Sequence, residues 1–172
     1  MAKETQAVMV EGSSGGIESA YIEAFARAGW RVTTFGRTEI ACVREDFFGL
    51  PVDFTNEGET QKDIDHILST CGRLDAAIHC IGDIHNTLPS SQIPWQRCQK
   101  SFEACVGSTV HRATASFEAI AETRGSIVLI SLVAARKPYP GIADYCAAKA
   151  ALSSLAQIPA VDLAPYWTAP QK

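Results

Sequence analysis

The fold of this 172-residue chain is decided by residues 7–18, which read AVMVEGSSGGIE. An apolar run leads into a turn rich in glycine, and apolar residues then recur at helical spacing from Ile17 to Ala28. Gly29 stands where a helix C-terminal cap is expected, and residues 30–35 are rich in β-branched and aromatic residues. The stretch therefore predicts strand, glycine turn, helix and second strand, which make one βαβ unit.

The same alternation continues along the chain. Nearly unbroken apolar runs predict three more strands, at residues 50–54, 74–81 and 126–132. Helical spacing predicts three more helices, at residues 55–72, 95–123 with a break near Gly107, and 144–163 with a kink at Pro159. The pattern indicates a single α/β domain over residues 1–172, a doubly wound parallel sheet with helices on both faces.

Composition argues against several classes of partner. The chain is 47% hydrophobic and 20% charged with a net charge of -4, so it has no basic excess to attract nucleic acid or an anionic membrane. Six scattered cysteines and four separated histidines favour free thiols and no metal site. The sequence has no apolar run of membrane-spanning length and no leader of the secretory type, so a cytoplasmic location is expected.

The glycine turn has the composition of a phosphate-binding loop. In dinucleotide folds, the turn after the first strand brings backbone N–H groups to the pyrophosphate, which lies at the positive end of the helix. Gly12, Gly15 and Gly16 provide such a turn here. A glycine turn alone also serves simply to connect two elements tightly, so it is a weak signal.

A second group of residues predicts chemistry. Ser131 ends the fifth predicted strand, and Tyr145 and Lys149 lie four residues apart at the start of a helix. That spacing puts the phenol and the ammonium on one helical face, where the ammonium favours the phenolate and the phenol can exchange a proton with substrate. An isolated Tyr-x-x-x-Lys is most often ordinary helix surface, so the setting of the pair carries the hypothesis.

Residues 7–165 together resemble the short-chain dehydrogenase/reductase family. Residues 11–18, EGSSGGIE, are similar to the family's T-G-x-x-x-G-I-G and depart from it at Glu11 and Glu18. Residues 145–152, YCAAKAAL, and 161–165, VDLAP, look like the family's catalytic segment. The resemblance implies a Rossmann-type sheet, with Tyr145 as acid/base, Lys149 as its partner and holder of the cofactor ribose, and Ser131 as donor to a substrate carbonyl.

The resemblance also implies the cofactor and its contacts. Arg37 follows the second strand, where a basic residue suits the extra phosphate of NADP, so NADP is expected and NAD is less favoured. Asp53 falls at the position where the family has an aspartate next to the adenine ring. The other residues implied for cofactor binding are Gly12, Ser14, Gly15, Gly16, Ile17, Gly82 and Lys149. Alternatively, Arg37 is an ordinary surface arginine, and Asp53 caps the following helix.

Departures from the family leave the function open. Glu18 either repels a pyrophosphate or merely complements the helix dipole, and Ala104 replaces an asparagine that helps to hold a proton-relay water. Family members continue for roughly another 70–90 residues, which supply the last strands and the substrate lid that are expected to be lacking here.

These features leave three hypotheses about the function of the chain. The first is an NADP(H)-dependent oxidoreductase that moves hydride between nicotinamide and a small carbonyl or alcohol, working as a homodimer or homotetramer. The second is a catalytically impaired relative or shortened form that serves as a nucleotide-binding or oligomerisation module. The third is that the sequence is part of a longer, ordinary enzyme of the family.

Overall fold

The computed structural model of the chain describes residues 5–12, 16–36, 47–82, 84, 86–137 and 139–157. Its sheet consists of five parallel strands in the order β3-β2-β1-β4-β5. The strands are β1 (Ala7–Glu11), β2 (Arg31–Gly36), β3 (Phe47–Pro51), β4 (Ala76–His79) and β5 (Ser126–Leu129). The strand order reverses between β1 and β4, so the carboxyl ends of these two strands flank the crevice where doubly wound sheets bind ligands.

Helices cover both faces of this sheet. They are α1 (Gly16–Arg27), α2 (Glu57–Cys71), α3 (Trp95–Phe102), α4 (Ser108–Thr123) and α5 (Ala143–Leu155). Met9 of β1 belongs to a core with residues of α2 and α4, whereas Val8 and Val10 belong to a core with residues of α1. Successive residues of a strand point to opposite faces, which is why β1 is apolar at every one of these positions. The predicted doubly wound fold is confirmed.

The third strand lies earlier than the sequence predicts. The expected range was 50–54, but β3 ends at Pro51, and Val52 donates its N–H to the carbonyl of Gly36 at the end of β2 (2.9 Å). The buried side chains of Val52 and Phe54 produced the apolar signal, although both residues follow the strand. A prediction based only on apolar residues therefore placed the strand about three residues too late.

The ends of α2 match their sequence signals. The side chain of Asn56 caps the N-terminus by accepting the N–H of Gly58 (3.0 Å). Gly72 ends the helix with a φ of +75° and donates its N–H to Leu68 (2.9 Å). The kink predicted at Pro159 lies outside the described residues.

The predicted break in the long helix is confirmed. Helices α3 and α4 are joined without a loop by a wider turn of π-helical hydrogen bonding over Glu103–Gly107. Such turns displace the side chains that follow them and occur often at functional sites. Here the turn contains the fully buried Cys105, which packs in one cluster with Tyr145. The break thus lies beside the predicted catalytic helix.

Candidate active site

The glycine turn begins at Gly12, in a conformation that favours glycine. Gly12 has a φ of +96° and donates its N–H to the carbonyl of Phe35 (3.0 Å). A Cβ at this position would lie only 3.0 Å from the carbonyl oxygen of Cys80. Gly16 begins α1 with open space around it, and Ile17 is 57% exposed. At the crevice between β1 and β4, the backbone thus passes closely at Gly12, and the exposed apolar side chain of Ile17 lies near the start of α1.

Tyr145, Lys149 and Gly82 come together at the carboxyl ends of β4 and β5. A Cβ on Gly82 would lie 2.6 Å from the Tyr145 hydroxyl oxygen, so only glycine leaves room for the phenol. The ammonium of Lys149 lies 5.7 Å from the centre of the Tyr145 ring. The predicted acid/base, its cationic partner and the glycine after β4 thus share one place in the fold.

Backbone carbonyls hold the ammonium of Lys149. Its Nζ donates to the carbonyl oxygens of Ile81 (2.7 Å) and Ile130 (2.8 Å). Burial lowers the pKa of Lys149, although the nearby thiols and the Glu18 carboxylate oppose the shift. An ammonium has three donors, so these two bonds leave one N–H for a further partner.

The hydroxyl of Ser131 forms hydrogen bonds with residues of α5. Its hydroxyl oxygen lies 3.0 Å from the Lys149 carbonyl oxygen and 2.6 Å from the Ser153 hydroxyl oxygen. The next residue, Leu132, is extended and packs against the cluster that contains Tyr145. Sequence analysis missed Leu132, and the alternation of an extended segment would have been the signal for it. The role of Ser131 as carbonyl donor stays a prediction.

Asp144 anchors the start of α5. Its Oδ2 accepts hydrogen bonds from Arg97 Nε (2.8 Å) and Ser101 Oγ (2.9 Å), both on α3. Burial by itself raises the pKa of Asp144, but these donors more than offset that effect and the pKa lies below its ordinary value. Because Tyr145 follows directly, this buried contact holds in place the first turn of the helix that carries the phenol.

The other predicted cofactor contacts are placed only in part. Asp53 is exposed, and its Oδ1 accepts the N–H (3.0 Å) and the hydroxyl (2.7 Å) of Thr55 in the turn before α2. That arrangement fits a turn-capping role and leaves the adenine contact a prediction. Ser14, Gly15 and Arg37 lie outside the described residues.

A buried group of charges lies directly behind the crevice. Glu11 at the end of β1 contacts both His79 at the end of β4 and Arg112 of α4. Arg112 Nη1 also donates to Asp63 Oδ2 of α2 (2.6 Å). Burial raises the pKa of Glu11, but His79 and Arg112 more than offset it, so the net shift is downward. The unusual Glu11 is therefore neutralised inside the protein.

Aromatic rings enclose the guanidinium of Arg112. Its Cζ lies 4.8 Å from the ring centre of Phe35 and 5.3 Å from that of Phe54. Burial raises the pKa of Asp63, although Arg112 opposes the shift. Sequence analysis missed this group because a single arginine in a helix ordinarily lies at the surface.

The described ranges lack two further kinds of feature. No group of three histidine, cysteine or acidic side chains there is placed to hold a metal ion. No helix in those ranges is both long enough and apolar enough to cross a membrane.

Comparison with known proteins identifies the family of this chain. The family model for short chain dehydrogenases matches residues 6–167. The chain is 31% identical over 160 residues to 2,3-dihydro-2,3-dihydroxybenzoate dehydrogenase of Escherichia coli, covering 91% of this chain and 63% of that protein. It is 24% identical over 151 residues to serine 3-dehydrogenase of Rhizobium radiobacter, covering 84% of this chain and 61% of that protein. The chain thus spans about three fifths of the length of these curated relatives.

Solved structures share the fold. The 3-ketoacyl-(acyl-carrier-protein) reductase of Brucella melitensis, complexed with NADH, has a TM-score of 0.88 at 18% identity, covering 95% of this chain and 72% of that one. ElxO with NADP bound has a TM-score of 0.87 at 19% identity, covering 94% of this chain and 69% of that one. The chain belongs to the short-chain dehydrogenase/reductase family.

Proposed function

We propose that the chain carries the cofactor site and the proton-transfer pair of an NADP(H)-dependent oxidoreductase acting on a small carbonyl or alcohol. The observation that supports this most is the meeting of the Tyr145 hydroxyl, the Lys149 ammonium and the Gly82 backbone beside the crevice. Three sequence positions on two distant parts of the chain, α5 and the segment after β4, have to agree for that arrangement to form. The family relationship supports the same chemistry.

The residues of the crevice fit a dinucleotide in part. Gly12 lets the backbone approach a ligand, and the N-terminus of α1 favours phosphate charge. The exposed Ile17 offers an apolar surface next to that end of the helix. The carboxylate of Glu18 is the feature that does not suit a pyrophosphate.

The proposed chemistry assigns a proton to Tyr145. The dinucleotide, when bound, supplies the hydride for carbonyl reduction and accepts it in the reverse direction. Tyr145 gives its phenolic proton to the substrate oxygen as the carbonyl becomes an alcohol, and recovers a proton from solvent. Lys149 stabilises the phenolate left behind, and its remaining N–H would hold the cofactor ribose. Ser131 would donate its hydroxyl to the substrate carbonyl.

The choice of NADP over NAD is proposed from Arg37. ElxO is seen with NADP and the Brucella reductase with NADH, so these similar folds accept either cofactor. A guanidinium at Arg37 would pair with the 2′-phosphate that only NADP carries. Arg37→Ala should therefore weaken NADPH binding by about tenfold and leave NADH binding nearly unchanged, as measured by calorimetric titration.

We also propose that the protein forms a homodimer or homotetramer in the cytoplasm. Val110 of α4 and Phe102 of α3 are 40% and 38% exposed, which is a high exposure for apolar side chains on adjoining helices. The cysteines of the described ranges are free thiols, as in a reducing compartment. Sedimentation analysis should give a mass two or four times that of the chain.

Turnover with a panel of carbonyl and alcohol compounds tests the central proposal. The wild-type protein should oxidise NADPH with at least one carbonyl, and Tyr145→Phe should lower kcat by at least about 100-fold. Tyr139→Phe is the matched control, because Tyr139 is 63% exposed and is assigned no part in the proton transfer. Equal turnover by wild type and Tyr145→Phe would refute the assignment of the acid/base.

A second function is favoured by one observation, the buried Glu18 beside Gly12. A protein with that carboxylate in place would bind nucleotides weakly and act as a binding or oligomerisation module. Defined assembly without turnover on the whole panel would support this alternative.

A further inference from the structure

Glu18 is buried although it lies in the first turn of a surface helix. It is 8% exposed, whereas its neighbours Ile17 and Ser19 are both exposed. A Cβ added at Gly12 would lie 2.9 Å from Glu18 Oε1, so the carboxylate folds back against the glycine turn. Over the described residues, no hydrogen bond to that carboxylate is present, and its oxygens are not among the fully buried atoms that lack a partner. The carboxylate therefore lies beside Gly12 and keeps some contact with solvent.

The surroundings show where this carboxylate lies in the crevice. Burial, with the charge of Glu18 in addition, raises the pKa of the Cys80 thiol to about 12. Glu18 also acts on Lys149, where it opposes the lowering of the pKa by burial. The carboxylate is therefore close to Gly12 on one side and within electrostatic range of Lys149 on the other. A dinucleotide lying along the crevice has its pyrophosphate between those two points.

We propose that Glu18 occupies the pyrophosphate subsite and is the residue that limits the affinity of this chain for dinucleotides. The inference rests on the proposed function, because it concerns the same crevice. A pyrophosphate and a carboxylate cannot share the space, and like charges placed together in a partly buried site repel. Glu18 has to turn outward before NADPH binds. The penalty applies to ligands with a pyrophosphate and does not apply to fragments without one.

Two substitutions separate the charge of Glu18 from its bulk. Glu18→Gln keeps nearly the same volume without the charge, and Glu18→Ala removes both while preserving helix propensity. Glu122→Gln is the matched control, since Glu122 is exposed and lies on α4, which packs on the opposite face of the sheet from α1. All four proteins carry the full chain, and thermal unfolding establishes that each is folded.

Calorimetric titration with NADPH and with adenosine 2′-phosphate tests the proposal. Glu18→Gln should bind NADPH at least about tenfold more tightly than wild type, a change of about 1.4 kcal/mol. Glu18→Ala should bind at least as tightly as Glu18→Gln. Glu122→Gln should match wild type, and adenosine 2′-phosphate, which has no pyrophosphate, should bind all four proteins alike.

The outcomes separate this inference from the proposed function. Equal NADPH binding by wild type and both Glu18 variants would overturn the inference and leave the cofactor site intact. Weaker NADPH binding by the variants would also overturn it, because Glu18 would then be a ligand contact. Failure of every folded protein to bind NADPH or NADH would overturn the proposed function, and the inference with it.

Discussion

Glu11 and His79 are register partners on the neighbouring parallel strands β1 and β4, and their buried side chains contact each other. Glu11 departs from the family pattern T-G-x-x-x-G-I-G, which has threonine at this place. Glu11 and His79 form one structural unit, which is completed by Arg112 from α4. This unit holds together the strand ends that flank the crevice.

Removal of Arg112 should destabilise the protein strongly. Arg112→Met leaves the buried Glu11 without its guanidinium partner, so we expect a loss of about 3–5 kcal/mol in the free energy of unfolding. Arg27→Met is the control, because Arg27 pairs with Glu23 at the surface and should contribute less than about 1 kcal/mol. Urea denaturation measures both values.

A double variant tests whether the charges are coupled. Adding Glu11→Gln to Arg112→Met removes the orphaned carboxylate and should recover part of the lost stability. If the losses in the free energy of unfolding of the two single variants simply add in the double variant, the coupling is contradicted.

Substitution of Gly82 should affect turnover more than folding. The Cβ of Gly82→Ala would lie 2.6 Å from the Tyr145 hydroxyl oxygen, so the phenol has to move from its place. We expect kcat to fall by about 100-fold, because small displacements of a catalytic group have effects of that size. Gly58→Ala, whose Cβ would be 3.5 Å from the nearest side-chain atom, should leave kcat unchanged. An unaltered kcat in Gly82→Ala would show that Tyr145 is not used from this position.

Substitution of two neighbouring serines tests whether Ser131 donates a hydrogen bond to the substrate carbonyl. If Ser131 donates to the substrate, Ser131→Ala should lower kcat by about 100-fold or more. Ser153→Ala removes only the hydroxyl that lies 2.6 Å from Ser131, and should not lower kcat. Similar small effects of the two substitutions on kcat, with similar losses of stability, would assign Ser131 a structural role in holding α5.

Asp144 should give the protein a pH-dependent stability. Its pKa in the folded state lies below the ordinary value of 3.8, so its contribution is present above that pH and is lost as the pH falls through the folded value. Asp144→Asn should cost about 2 kcal/mol at pH 7, and the difference from wild type should shrink below pH 3.8. The exposed Asp65→Asn should show neither effect in urea denaturation. A difference that is constant with pH would contradict this account of Asp144.

Local sequence signals predicted the parts of the fold that depend on local physics. Helix α2 carries its own boundaries in Asn56 and Gly72, and Gly107 marked the change of helical geometry. Tyr145 and Lys149 were predicted to share a face because four residues make about one helical turn. Each of these features is determined by residues that are near one another in the chain.

Features that depend on distant pairing could not be predicted in this way. Glu11 and Arg112 are 101 residues apart, and their contact exists only after β1 and α4 pack together. The side of the chain on which Ser131 lies depends on the register of β5, and a shift of one residue reverses it. Glu18 reads as an ordinary helix-terminal acid until its burial beside Gly12 is seen.

Calorimetric titration of the wild-type chain with NADPH tests the central claim, that this crevice is a working dinucleotide site, most directly. The account predicts saturable binding of one NADPH per chain, weakened by the carboxylate of Glu18 and tightened when Glu18 is replaced by alanine. Absence of binding by both the folded wild type and folded Glu18→Ala would contradict it.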